Sequence, residues 1–259
     1  NPYCYRCPLG KKRETCDLAC ANMIEDVIQT STAGHPGAFI AETIQGNAGI
    51  VVPPEGYFQR VKEILAQHNT LFIADEVQTG FGRTGRMFAI ENFGVVPDIM
   101  AVAKALGNGA PISAFISTAE IADTYTRPGA STLGGNPVST TAGLAVLDYI
   151  EKHDLCQNAS ERGEQLRAGL REIQKRHAII GDIRGLGLMT GAEFVHTDKS
   201  PAAAELDDVL ETLKDRGFII GKNGVARNVM AFQPPLVITA EDIDNVLNAL
   251  EMVLTEKKL

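Results

Sequence analysis

Short apolar runs alternate with amphipathic segments from residue 21 to about residue 120. Four runs have the length of β-strands: AFIAE (38–42), LFIADE (71–76), IMAVA (99–103) and ISAFIS (112–117). The segment between the first two places the apolar residues 57, 58, 61, 64 and 65 on one helical face. Because strands that alternate with helices are typical of parallel sheets, the pattern predicts an α/β fold with a mostly parallel sheet.

The second half of the chain has a different pattern. Two helical segments follow each other at 140–154 and 159–177, and two further helices are predicted over 203–216 and 240–256. Short apolar segments, which we interpret as strands, separate them. We therefore expect a large domain over residues 1–153 and a smaller C-terminal α+β domain over residues 154–259.

Composition limits the classes of function. The 259 residues are 44% hydrophobic and carry a formal net charge of -8, with acidic and basic side chains interspersed. This excludes the basic stripe that binding to nucleic acid requires. No apolar run approaches the roughly 20 residues that span a bilayer, so we expect no membrane partner and a cytoplasmic location.

Four cysteines lie close together near the start, at Cys4, Cys7, Cys16 and Cys20. Their spacing is compatible with a small zinc site or with two disulfides. Reduced thiols are the simpler interpretation for a cytoplasmic protein, and we expect no metal.

Polar side chains stand at the ends of three predicted strands: Glu42, then Asp75 with Gln78, then Lys104. In open α/β sheets, functional groups collect where strands end. Since Lys104 follows a buried run, we expect its amine to be partly removed from water, which favours the nucleophilic form. Such lysines form Schiff bases, most commonly with pyridoxal 5'-phosphate, and Asp75 could hold the ring nitrogen of that cofactor in its protonated form.

Three longer segments then resemble one family. FIADEVQTGFGRTG, PDIMAVAKALGNGAPISA and STLGGNPVSTTAGLAVL are similar, in order and spacing, to motifs of the class III aminotransferases. These are pyridoxal-phosphate enzymes of fold type I, and the resemblance covers essentially the whole chain. It implies a fold type I α/β architecture, with the large domain incomplete on its N-terminal side.

The resemblance also implies roles for individual residues. Lys104 would form the Schiff base, Asp75 would pair with the ring nitrogen, and Val77 would pack on one ring face. Gln78 would hydrogen-bond the phenolic oxygen of the cofactor. Thr132 would reach the phosphate of the cofactor in the neighbouring subunit, which implies a homodimer. Glu42 resembles an acid near Gln78, and a purely structural role for it is equally compatible with the sequence.

Two departures from the family are visible. Members that bind an α-carboxylate often have an arginine where this chain has Ala231, and the acid that pairs with that arginine in some relatives is replaced by Asn47. Arg227 lies about 13 Å away if the segment is extended, too far to substitute. The phosphate-binding loop of the family precedes the region present here. We therefore expect this chain to be the downstream part of a longer enzyme. On its own, the chain is expected to bind the cofactor poorly.

The resulting functional expectation is transfer of an amino group from an amino acid or an ω-amino acid to a 2-keto acid. The body of the chain looks most like the branch that acts on alanine with glyoxylate or on ω-amino acids. Two alternatives stay open from sequence. One is another pyridoxal-phosphate reaction, such as that of a phospho-lyase, racemase or decarboxylase. The other is an inactive, truncated copy that pairs with other subunits.

Overall fold

A computed structural model describes all residues, 1–259. The chain divides into two compact units. The first comprises Asn1–Thr43, Pro53–Phe81 and Arg86–Asp154, and the second comprises Ile44–Val52, Gly82–Gly85 and Leu155–Leu259. Two short segments from the first half of the sequence therefore belong to the second unit. The assignment of a cofactor-binding role to residues 1–153 stays a prediction.

The first unit contains a four-stranded sheet in the order β1-β2-β3-β4. Its strands are β1 (Ala38–Glu42), β2 (Leu71–Asp75), β3 (Ile99–Val102) and β4 (Ala114–Ser117). β1, β2 and β3 are parallel, which confirms the mostly parallel α/β fold, whereas β4 runs antiparallel to β3. The segment between β3 and β4 is too short for the crossover of a dozen or more residues that a parallel connection needs.

Helices cover one face of this sheet. The helices of the first unit are α1 (Ala19–Ser31), α2 (Tyr57–Gln67), α3 (Ala119–Asp123) and α4 (Pro137–Lys152). Phe58, Val61 and Leu65 of α2 pack with Phe72 and Ala74 of β2 in one apolar cluster. The predicted helix between the first two strands is thus present, and its apolar stripe forms the core of this unit.

The opposite face of the sheet is more exposed. Strand residues alternate between faces, so Ile40 of β1 and Phe115 of β4 point away from the core that contains Phe72. Ile40 is 61% exposed and Phe115 is 74% exposed. The parallel and antiparallel registers place Asp75 and Ala101 in the same row as Phe115. The candidate site therefore lies at the carboxyl edge of the face that the helices leave open.

The second unit is an α+β unit. Its antiparallel sheet has the order β5-β6-β8-β7. The strands are β5 (Ile180–Leu186), β6 (Met189–Phe194), β7 (Gly221–Asn223) and β8 (Val229–Phe232), and the helices are α5 (Leu155–Gln174), α6 (Ala203–Asp215) and α7 (Ala240–Lys257). All three helices contribute to one apolar core with β5, β6 and β8. The predicted helices over 203–216 and 240–256 match α6 and α7 to within one residue at each end.

None of these helices combines the length and the apolar character needed to cross a bilayer.

Candidate functional site

Asp75 is the last residue of β2, at the carboxyl edge of the parallel strands. In the parallel registers it lies opposite Glu42 of β1 on one side and Ala101 of β3 on the other. Ala101 precedes Lys104 by three residues. Three of the strand ends singled out in the sequence thus meet at one edge of one sheet, which is where open α/β sheets place their ligands.

Lys104, the second residue after the end of β3, is unusual in its backbone. Lys104 begins a short 3-10 helix, Lys104–Gly107, and has a φ of 43°. A non-glycine residue in the left-handed region costs about 1–3 kcal/mol, and such strain is concentrated at functional sites. The amine makes no hydrogen bond or ion pair with the rest of the chain, so it is available to a ligand.

The sequence predicts that the Lys104 amine is partly removed from water, but within this chain Lys104 is exposed. Val102, the last residue of β3, is buried, but Lys104 is exposed. The reason is that the chain has left the sheet at this point, and the 3-10 turn carries the side chain beyond the buried strand.

Asp75 has one oxygen committed and one available. Its Oδ1 accepts a hydrogen bond of 3.0 Å from the backbone amide of Val77, and Oδ2 accepts none within the chain. Asp75, Val77 and Gln78 are all half-buried. Residues 75–78, at the end of β2 and the start of the following loop, therefore carry a half-buried carboxylate, a β-branched side chain and a carboxamide.

A buried carboxylate lies between these residues in the sequence. Glu76 is 0% exposed. Its carboxylate accepts hydrogen bonds from the hydroxyls of Thr43 and Thr79 and from the amides of Ala89 and Ile90. Strand alternation contained the signal, because it places residue 76 on the buried face opposite Asp75, where a carboxylate must be paired.

Thr132 lies apart from these strand ends in sequence and in secondary structure. It is exposed, in the irregular segment between α3 and α4, and makes no hydrogen bond within the chain. Asn136 ends this segment by capping α4, with its Oδ1 accepting from the amide of Ser139 at 3.0 Å. The side chain of Thr132 is thus exposed, and its predicted role stays a prediction.

Ala231, the position that departs from the family pattern, is only 6% exposed. It pairs with Gly191 in the sheet and packs with Ile44, Ile50 and Met189 in a small apolar cluster. Arg227 is exposed, and its guanidinium donates to the carbonyl of Lys222 at 3.1 Å. The guanidinium of Arg184 donates to the carbonyl of Ile50, a member of this cluster, at 3.2 Å.

Two arginines connect segments within the second unit. Arg83 donates to the carbonyls of Leu188 and Pro234, at 3.2 and 2.5 Å, and burial lowers its pKa to about 10. Arg184 lies in β5, and its guanidinium donates to the carbonyl of Gly49 and to the carboxylate of Glu193.

The four N-terminal cysteines are free thiols that line one cavity. Burial raises the pKa of the Cys4 and Cys20 thiols, which disfavours the thiolate that metals bind. No group of three or more potential ligands in the chain is arranged to hold a metal. The four cysteines therefore form no disulfide with one another.

Comparison with known proteins decides the family. The sequence profile described as Aminotransferase class-III matches residues 3–254. The chain belongs to the class III aminotransferases. A solved Bacillus anthracis aminotransferase superposes on this class III chain with a TM-score of 0.91 at 33% identity, over 99% of this chain and 60% of that one. The fold type I architecture implied by the sequence is thereby confirmed.

Two curated relatives of this class III chain have different activities. A leucine/methionine racemase from Thermococcus litoralis is 44% identical over 98% of this chain and 58% of its own length. An Arabidopsis thaliana protein named alanine–glyoxylate aminotransferase 2 homolog 2, mitochondrial, is 43% identical over 99% of this chain and 54% of its own length. The class III chain thus spans little more than half of either relative, and the family membership leaves the reaction open between amino-group transfer and racemisation.

Proposed function

We propose that this chain carries the lysine and the ring-binding carboxylate of a pyridoxal-phosphate-dependent aminotransferase, which moves an amino group from an amino acid or ω-amino acid to a 2-keto acid. The observation that supports this most directly is the register of β2 and β3, which pairs Asp75 with Ala101, three residues before Lys104. An available carboxylate oxygen and an available amine thus leave neighbouring parallel strands at the same edge.

The residues present fit pyridoxal 5'-phosphate. The open Oδ2 of Asp75 suits a protonated ring nitrogen, and the exposed Nζ of Lys104 suits a covalent bond to an aldehyde. Val77 would pack on the ring and Gln78 would bind the phenolic oxygen. The exposed hydroxyl of Thr132 would serve the phosphate in a second subunit, so we propose a homodimer. When bound, this cofactor withdraws electrons from the Cα of the substrate.

The side chains of this chain would divide the remaining work. Lys104 Nζ would take the proton from the Cα of the substrate and then deliver it as a general acid. The carboxylate of Asp75 would stabilise the positive charge of a protonated ring nitrogen through Coulomb attraction, which is strongest where water is excluded. The similarity to the alanine–glyoxylate relative makes alanine and glyoxylate the first donor and acceptor to test.

Racemisation of an amino acid is the second candidate, and the 44% identity to the leucine/methionine racemase favours it. The same lysine would remove the proton from Cα in both reactions. The difference is that racemisation returns the proton to Cα from the opposite face and needs no keto acid.

Borohydride reduction of the native protein that contains this chain tests the proposal. Incubation with pyridoxal phosphate, reduction and peptide mapping should place the cofactor on Lys104, and the Lys104→Ala variant should remain unlabelled. Lys175→Ala, which changes an exposed lysine paired with Glu172, is the matched control and should label normally.

Substrate assays then separate the two reactions. Aminotransfer predicts pyridoxamine phosphate formed from L-alanine and consumed by glyoxylate. Loss of optical activity from L-leucine in the absence of any keto acid would instead establish racemisation. Labelling of another side chain would contradict both candidates.

A further inference from the structure

The carboxylate of Glu76 connects three separate parts of the first unit. Its Oε1 accepts from the hydroxyl of Thr43 at 2.9 Å and from the amide of Ile90 at 2.8 Å. Its Oε2 accepts from the amide of Ala89 at 3.0 Å and from the hydroxyl of Thr79. Thr43 directly follows β1, Thr79 belongs to the loop after β2, and the two amides begin the 3-10 helix Ala89–Phe93.

The backbone of Glu76 is fixed as firmly as its side chain. Its amide donates to the carbonyl of Ala101 in β3 at 2.9 Å, and its carbonyl accepts from the amide of Gly80 at 3.0 Å. A Cβ at Gly80 would lie 3.0 Å from that same carbonyl, so the turn closes against a position that has no side chain.

These contacts enclose Val77 and Gln78. Both residues lie between Glu76 and Thr79, whose side chains are bonded to each other, and Asp75 immediately precedes them. We propose that Glu76 is a positioning residue for cofactor binding, which holds Asp75, Val77 and Gln78 at the edge of the sheet without touching the ligand itself. This inference rests on the function proposed above.

The pattern of donors requires a carboxylate. Each carboxylate oxygen of Glu76 accepts from one backbone amide and one hydroxyl. The side-chain nitrogen of a glutamine, at the place of either oxygen, would face a backbone amide that also donates. A glutamine of the same shape would thus leave buried donors unsatisfied and push the loop out of place. The displacement would move the three residues that follow β2 on the ligand side.

The test compares Glu76→Gln with the unchanged native protein that contains this chain. We expect the dissociation constant for pyridoxal phosphate to rise about tenfold or more, the size of effect that an unsatisfied buried donor produces. We also expect the pH profile of the absorbance band of the bound cofactor to shift, because the groups around the ring change position. A role in stability alone would lower the melting temperature of the ligand-free protein and leave that pH profile unchanged.

Two further variants keep the result interpretable. Thr43→Val removes one of the four donors with little change of shape, and should weaken cofactor binding by a smaller factor than Glu76→Gln. Glu193→Gln changes another carboxylate that is only 2% exposed and is bonded to Arg184 and Asn228 of the second unit. This matched control should lower the melting temperature and leave the cofactor spectrum as it is.

The outcomes separate this inference from the proposed function. If borohydride labels Lys104 in the unchanged protein, but neither Glu76→Gln nor Thr43→Val alters cofactor affinity or the pH profile, the positioning role is overturned and the proposed function stands. If Lys104 is not labelled in the unchanged protein, both fall together.

Discussion

Asp75 of β2 lies directly opposite Glu42 of β1 in the parallel register, so two carboxylates end neighbouring strands on the same face of the sheet. They differ in their surroundings. Asp75 is half-buried and accepts a hydrogen bond from the amide of Val77, whereas Glu42 is exposed. The more enclosed carboxylate is the one suited to a fixed ionic contact with a ligand, because charges interact more strongly where water is displaced.

Asp75→Asn should therefore lower kcat by about two to three orders of magnitude, the range seen when one preorganised electrostatic partner of a reacting group is lost. The measurement is the rate of amino transfer by the native protein under saturating cofactor. Asp123→Asn, at an exposed carboxylate of α3 with no hydrogen-bond partner, is the control and should retain normal activity. Equal activity of the two variants would remove Asp75 from the site.

Asp98 should control stability in acid. Burial alone would raise the pKa of its carboxyl group, but hydrogen bonds from Lys62, at 2.7 Å, and from the Phe72 amide, at 2.7 Å, lower that pKa overall. A lowered pKa in the folded state means that ionisation stabilises the fold. This contribution is complete above the ordinary pKa of about 3.9 and is lost as the pH falls through the lowered value.

Asp98→Asn should consequently reduce the free energy of unfolding by about 1–2 kcal/mol near neutral pH. In strong acid, the variant and the unchanged protein should converge. Urea unfolding at several pH values measures the difference, with Asp123→Asn as a pH-independent comparison. A difference that stays constant into strong acid would mean that the ionised carboxylate is not the stabilising species.

Gly163 permits a backbone contact inside the second unit. A Cβ at this position of α5 would lie 1.9 Å from the carbonyl oxygen of Gly187, whereas a Cβ at Gly169 of the same helix would meet only the side chain of Leu247. Alanine normally stabilises a helix relative to glycine by up to about 1 kcal/mol. Here we expect Gly163→Ala to destabilise by about 3 kcal/mol or more, because backbone atoms must separate.

Gly169→Ala is the matched variant in the same helix and should lie close to the unchanged protein, since the Leu247 side chain can rotate. Thermal melting followed by circular dichroism gives both values. Similar melting temperatures for the two variants would contradict the close approach of α5 to Gly187.

Substitution of Ala231 by arginine tests whether the chain accepts the residue that many family members have at this position. In this unit Ala231 packs with Ile44, Ile50 and Met189 in an apolar cluster. We expect Ala231→Arg to lower stability by several kcal/mol, of the order that an unpaired buried charge costs. Val225→Arg, at a residue 91% exposed, is the control and should be close to neutral in the same unfolding measurement. Normal stability of Ala231→Arg would show that this position opens to solvent or to an anionic ligand.

The placement of the two candidate reactive residues at one edge of the sheet could be predicted from their order in the sequence. Asp75 and Lys104 follow apolar runs, and parallel strands bring their carboxyl ends to one edge, so their meeting could be predicted. The family motif around each of these two residues is contiguous in sequence, because each motif covers one strand and the turn after it. The roles of Asp75, Lys104, Val77, Gln78 and Thr132 in binding a cofactor stay predictions.

Other features depended on contacts between distant segments. The antiparallel direction of β4 follows from a short connection, but the apolar run itself has no direction. Strand alternation predicts that Glu76 is buried, but its hydrogen-bond partners were not predictable because the donors come from residues 43, 79, 89 and 90, three of them outside the motif that contains it. The exposure of Lys104 was also not predictable, since a residue after a buried strand can turn either way.

The amino-acid sequence by itself determined the α/β class, the helices with strong apolar periodicity and the side chains that are candidates for chemistry, because these depend on local spacing and on side-chain chemistry. Only the tertiary structure decided which carboxylate stays open to a ligand and which is enclosed by four donors. Adjacent residues Asp75 and Glu76 point to opposite faces of one strand, and what each face meets is set by segments that are remote in sequence.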